Sequence, residues 1–296
     1  MTAPPSPSDS TQEAEPPSGV GQRLITGFGV GGFALVAIFT FPPLAAFVTW
    51  LVVFVLAASE YAAIVRHWAP SAPLRSLLIW VPVAATGGAF VLLQEPSERV
   101  ALATALGLGF GLVAIAALTT LFGKCDVREA AVSMGFLAFG IPYFAIPPIA
   151  MYRIHMVDAW LVFLLVAIVA FGDSAAYFVG RKIGRHKIAP RVSPKKSWEG
   201  SVAGFLAGIL TMALWAYFRL GEVHNELLAL AAVTAVTGQL GDLVESLVKR
   251  GAGVKDSSNI LPGHGGFYDR LDALILATPV FVLGLWFLGF EAYVPK

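Results

Sequence analysis

Charge is the scarcest ingredient of this 296-residue chain: Asp, Glu, Lys and Arg together make up 13% of it, about half the share found in an ordinary soluble domain. So few charged side chains, set among 57% hydrophobic residues, cannot cover a water-facing surface. The mean hydropathy of +0.74 marks a polytopic membrane protein. Cysteine is nearly missing as well. Cys125 stands alone, which excludes a disulfide within the chain. No basic stretch precedes the first apolar run, and that run is long enough to cross a bilayer, so a cleavable signal peptide is not expected. No internal repeat of the kind that marks many secondary transporters is visible. A net charge of +1 gives no reason to expect a nucleic-acid partner.

What is present is a series of apolar runs. A hydrocarbon core of about 30 Å needs about 20 apolar residues per helix, and nine runs approach that length, near 24–41, 43–64, 75–94, 100–122, 130–150, 157–180, 201–219, 226–247 and 271–291. The expected fold is therefore an all-α polytopic membrane protein of about nine transmembrane helices. Two boundaries are the weakest: Pro42 and Pro43 crowd the second run, and Pro142, Pro147 and Pro148 interrupt the fifth. Residues 1–22, rich in Pro, Ser, Thr and Glu, read as a disordered tail. Residues 23–150 then form an N-terminal set of helices, and 151–296 a C-terminal region that carries the chemistry.

Placing the N-terminus in the cytoplasm puts 16 of the 20 Lys and Arg residues in inside segments, leaving only Arg99, Arg153, Arg219 and Lys296 outside. The positive-inside rule favours that arrangement. It places the charged segments 181–200 and 248–270 on the cytoplasmic face, where a basic surface attracts anionic headgroups and nucleotides, and the C-terminus outside.

Carboxylates within apolar runs are costly and mark sites. Asp173 shares a helix face with Tyr177 and Gly180, and Asp242, Ser246 and Lys249 form one stripe of the eighth run. Glu245 and Lys249 have the i, i+4 spacing of a pair that simply finishes a helix. Asp173 and Asp242 have no basic residue one turn away on their own helices and read better as part of an ion or substrate site. The segment that follows crowds Lys255, Asp256, Asp269, Arg270 and Asp272 around Pro-Gly-His-Gly-Gly at 262–266. Its acids suit a hard cation such as Mg²⁺, which takes one or two protein carboxylates and completes its shell with water and phosphate oxygens. Its glycines let backbone N–H groups approach an anion. Asp242 and Asp256 could supply the carboxylate pair. His264 alone reads equally as a hydrogen-bonded turn residue.

From Ser246 to Asp272 the pattern Ser246-x2-Lys249-Arg250-x4-Lys255-Asp256-x5-Pro262-x-His264-Gly265-Gly266-x2-Asp269-Arg270-x-Asp272 resembles the C-terminal motif of the phosphatidate cytidylyltransferases, or CDP-diacylglycerol synthases. The upstream block from Asp173 to Gly200, including Ser193, Lys195 and Lys196, is similar to a second block of that family. The resemblance is specific over about 170–273; elsewhere only the apolar pattern supports it.

It implies transfer of a cytidylyl group from CTP to phosphatidic acid, giving CDP-diacylglycerol and pyrophosphate, at the cytoplasmic edge of an inner membrane. The roles it implies are metal ligation by Asp242 and Asp256, and catalysis by Lys249, Arg250, Lys255, His264 and Arg270. Asp173, Tyr177, Ser193, Lys195, Lys196, Ser246, Gly265, Gly266, Asp269 and Asp272 would form the substrate-binding set, with Asp269 and Asp272 bracing the basic side chains. Mg²⁺, a second cation such as K⁺, and a homodimer are implied in the same way. Other readings stay open: a cytidylyltransferase or CTP-dependent kinase for another lipid, or a transporter of anionic solutes, whose site would more often lie at the midplane.

Overall fold

The computed structural model describes residues 20–93 and 98–289, with side chains described for 25–91 and 110–289. The expected disorder of 1–22 therefore falls almost wholly outside the described residues, as does the C-terminal Lys296. Apolar runs become helices because, in hydrocarbon, each backbone N–H and C=O must be satisfied within its own segment. Along the chain these are α1 (Val20–Thr40), α2 (Pro43–Val65), a short 3₁₀ turn (Leu74–Ser76), α3 (Leu77–Leu93), α4 (Glu98–Phe122), α5 (Ala130–Val157) and α6 (Ala159–Ile183). After strands β1 (Lys187–Ala189) and β2 (Ser193–Ser197) follow α7 (Trp198–Leu220), α8 (Asn225–Gly251) and α9 (Tyr268–Phe287).

Among the described residues, seven helices are long and apolar enough to cross a membrane: α2, α3 with its lead-in turn, and α5 to α9. The described apolar parts of α1 and α4, Ile25–Thr40 and Phe110–Phe122, fall short of that length.

Three expectations change. The prolines do not interrupt the fifth segment, for α5 runs unbroken over 28 residues through Pro142, Pro147 and Pro148. Each proline removes one helical hydrogen bond, but α5 packs against α2, α3, α4, α6 and α9, which hold it in line. The all-α description needs a small exception. Residues 181–200 are not a simple loop: β1 and β2 pair antiparallel, and the ribbon is closed where Trp198 N donates to His186 O at 2.8 Å. Both charged connections are also shorter than the apolar runs suggest, because α8 continues to Gly251 and α9 starts at Tyr268.

Two ends of the bundle can be told apart by their polar contacts. At one end Ser71 Oγ donates to Glu129 at 2.8 Å, Gly251 lies against the Trp68 ring, and the segment after α8 bonds to α2. The basic residues Arg66, Arg75, Lys124, Arg128 and the β1–β2 ribbon all flank this end. At the other, Arg219 binds Asp158 at 2.9 Å, joining the end of α7 to the start of α6. The closest partners, α6 with α7 and α8 with α9, meet through small residues, the usual means of close helix approach in membranes.

Candidate active site

The acidic side chains arrive on three helices. Asp242 and Glu245 project from α8, Asp272 from just beyond the first turn of α9, and Asp173 from α6. Their meeting depends on bare backbone at Gly241, where a Cβ would run into the carbonyl oxygen of Asp272; α8 can therefore lie directly on the start of α9. One carboxylate oxygen each from Asp242, Glu245 and Asp272 falls within 4.8 Å of the others. Asp173 lines a narrow crevice between α6, α7 and α8 and lies within electrostatic reach of Asp242, Lys196 and Arg270.

Basic side chains are interleaved with these acids. Lys196, at the end of the ribbon, reaches Asp242 Oδ2 at 2.5 Å. Lys249 lies between Glu245 Oε1 at 2.6 Å and Asp269 Oδ1 at 2.5 Å. Glu245 is 1% exposed and Lys249 9%, so this pair is a buried brace. Ser246 Oγ donates to Asp242 Oδ1 at 3.3 Å. In their charged forms, five carboxylates (Asp173, Asp242, Glu245, Asp269, Asp272) face three bases (Lys196, Lys249, Arg270). The three carboxylates Asp242, Glu245 and Asp272 offer an all-oxygen donor set that would suit, and hold, a hard cation such as Mg²⁺.

The Pro-Gly-His-Gly-Gly turn is built on glycines at φ +75° and +76°, Gly263 and Gly265, values that side-chain-bearing residues avoid. Leu261 N donates to Gly265 O at 2.9 Å, and His264 N to Leu261 O at 2.8 Å. Asp269 Oδ2 then gathers Gly266 N (2.8 Å), Ser257 N (2.9 Å) and Ser257 Oγ (2.8 Å). Arg270 Nε donates to His264 O at 3.0 Å, and the His264 ring lies against Gly27 of α1.

The Cytidylyltransferase family model matches residues 21–288. The chain belongs to that family. Similar proteins include the phosphatidate cytidylyltransferases of Pseudomonas aeruginosa, 47% identical over 45% of this chain and 49% of that protein, and Haemophilus influenzae, 43% identical over 37% and 40%. The aligned stretch thus spans half or less of those two relatives. The phosphatidate cytidylyltransferase of Mycobacterium bovis aligns over 89% of both chains at 31% identity.

Within this family member, the residues singled out from the sequence divide into two groups. Asp173, Lys196, Asp242, Ser246, Lys249, Asp269 and Asp272 come together as described. Lys195, Lys255, Asp256, Arg270 and Arg250 are exposed around them, with Arg250 Nη1 donating to Val254 O at 3.2 Å. Asp256 lies outside the carboxylate group of three; Glu245 and Asp272 stand beside Asp242 instead. Tyr177 is exposed and accepts from Arg181 at 3.1 Å, and Ser193 opens β2, half-buried. Two participants escaped the sequence reading. Gln239 exchanges hydrogen bonds with Ser201 and lines the crevice of Asp173. Glu60 of α2 binds the segment leading into α9. Glu60 is a lone carboxylate in an apolar run, the same signal that drew notice to Asp173.

Proposed function

We propose that this protein transfers the cytidylyl group of CTP to phosphatidic acid, giving CDP-diacylglycerol and pyrophosphate. The observation that carries the reading is the acidic group of Asp242, Glu245 and Asp272 at one end of a membrane bundle, with exposed Lys195, Arg250, Lys255 and Arg270 on the adjoining ribbon, connection and helix ends. The relatives named above, phosphatidate cytidylyltransferases, agree with it.

The chemistry asks little of a general base. A phosphate oxygen of the lipid, already largely ionised at neutral pH with a second pKa of about 6, attacks the α-phosphorus of CTP. The bond from that phosphorus to the pyrophosphate oxygen breaks, and pyrophosphate leaves as the anion. The difficulty is bringing two polyanions together, which positioned cations and bases relieve. Bound at the acidic group, Mg²⁺ would neutralise phosphate charge. Arg250, Lys255 and Lys195 form no ion pair among the described residues, and together with Arg270, which lies within electrostatic reach of Asp173, they serve the phosphates, with the Arg side chains suited to bidentate contacts. Lys196 and Lys249 hold the acids in place, and His264 shapes the turn against α1. A second, monovalent cation such as K⁺, a homodimer and an inner-membrane location belong to the same reading.

Purified protein given labelled CTP and phosphatidic acid with Mg²⁺ should yield labelled lipid and pyrophosphate, and neither without the metal. Label transferred instead from the γ-phosphate, with CDP released, would identify a lipid kinase.

The proposed topology has nine spans, the N-terminus and the acidic group cytoplasmic and the C-terminus outside. It is supported by 16 of 20 basic residues falling on one side. Alkaline phosphatase fused after residue 222 or 296 should be active, and after residue 256 inactive; the reverse pattern would invert the protein.

A further inference from the structure

Glu60 lies on α2, which supplies none of the acids described above, and it is 4% exposed. Its carboxylate takes four hydrogen bonds, all from one distant segment. Oε1 accepts from Ser258 Oγ at 2.6 Å and Phe267 N at 3.1 Å. Oε2 accepts from Ser257 Oγ at 2.9 Å and Tyr268 N at 2.8 Å. No basic side chain pairs with it among the described residues. A buried carboxylate in apolar surroundings persists only if it is hydrogen-bonded, and these donors supply the bonds.

The donors say what the carboxylate is for. Phe267 and Tyr268 open α9, and α9 has no side-chain cap of its own. A helix start leaves unpaired N–H groups and a partial positive charge, and Glu60 meets both from a different helix. Ser257 Oγ lies between Glu60 and Asp269, 2.9 and 2.8 Å away, and its single proton serves one acid at a time. The fit leaves no slack. A Cβ on Gly266 would collide with both Ser257 Oγ and the Glu60 carboxylate, which gives the last glycine of the turn its physical reason.

We infer that Glu60 is a positioning residue for the reaction: it caps α9 across the bundle, and so holds Asp269 and Asp272 against Asp242, Glu245 and Lys249 of α8. The inference rests on the proposed function for its purpose but not for its geometry. The N-terminal helices thereby take part in assembling an acidic group formed wholly by the C-terminal ones.

Glu60→Gln is the sharpest variant. Each carboxylate oxygen serves one hydroxyl and one backbone N–H. A hydroxyl can turn round to accept from the new NH₂, but a backbone N–H cannot, so one N–H of α9 is left facing a donor. Two readouts, neither needing turnover, test the consequence. Hydrogen–deuterium exchange over 257–268 should quicken at least tenfold in Glu60→Gln, with α6 and α7 unchanged. Mn²⁺ binding to the substrate-free protein, followed by its EPR signal, should weaken at least tenfold. Ser258→Ala, which removes one bond of four, should move both readouts the same way by less, and decides the matter if Glu60→Gln does not fold. Unchanged exchange overturns the cap. Faster exchange with an equal Mn²⁺ midpoint, or no Mn²⁺ binding by either protein, makes Glu60 a merely structural residue. If the unaltered protein makes no CDP-diacylglycerol, the proposed function fails while both readouts stay legible.

Discussion

Asp272→Asn is expected to lower cytidylyl transfer by about a hundredfold or more, the scale of losing a group that stabilises developing charge, while Asp256→Asn costs about tenfold or less. The family resemblance pairs Asp242 with Asp256; the geometry gives Asp242 the company of Glu245 and Asp272 and leaves Asp256 exposed. Asparagine keeps the size of aspartate but donates on one side and carries no charge, so it binds Mg²⁺ far less well. Turnover measured over a range of Mg²⁺ concentrations separates the cases. Asp272→Asn should need much more Mg²⁺ for half-maximal rate, and Asp256→Asn should need nearly the normal amount. A large loss in Asp256→Asn with Asp272→Asn little affected would restore the pairing that the resemblance implies.

The second large effect is on stability. Lys249→Met removes the one base between Glu245 and Asp269 and leaves two carboxylates, one of them almost wholly buried, without their cation. Breaking a buried ion pair from one side costs about 3–5 kcal/mol, enough to lower the thermal midpoint in detergent by several degrees and to abolish activity. The double variant Glu245→Gln, Lys249→Met takes away a charge of each sign. It should regain part of the lost stability, because Asp269 still lacks its cation but keeps its donors from Ser257 and Gly266, and none of the activity, because the acidic group is still a member short. A single variant as stable as the unaltered protein would show that Lys249 is solvated and free for phosphate.

Much of this was legible in the sequence, and the reasons for the rest are physical. Each apolar run coincides with one of the α-helices, and seven of these are long and apolar enough to span a bilayer among the described residues. The rule that carboxylates in apolar runs need a purpose picked out Asp173 and Asp242, and the 246–272 pattern marked the acidic end of α9. Local periodicity has no means of reporting which helices touch. Glu60 and its partners stand about two hundred positions apart, and the role of Gly241 is visible only once α8 lies on Asp272. The prolines of α5 misled for the same reason: their cost is set by the neighbours that surround that helix, which the run of residues does not name.

The unequal ends of the bundle have a consequence for the lipid. The acids, the glycine turn and the exposed bases gather toward one end, while the Arg219–Asp158 contact lies at the other. On the proposed function, a phospholipid meeting these groups would do so from a single leaflet, with its acyl chains alongside the helices and its phosphate at the polar end. Substrate and product would then occupy the same monolayer, and the proposed reaction would proceed without a headgroup ever crossing the hydrocarbon.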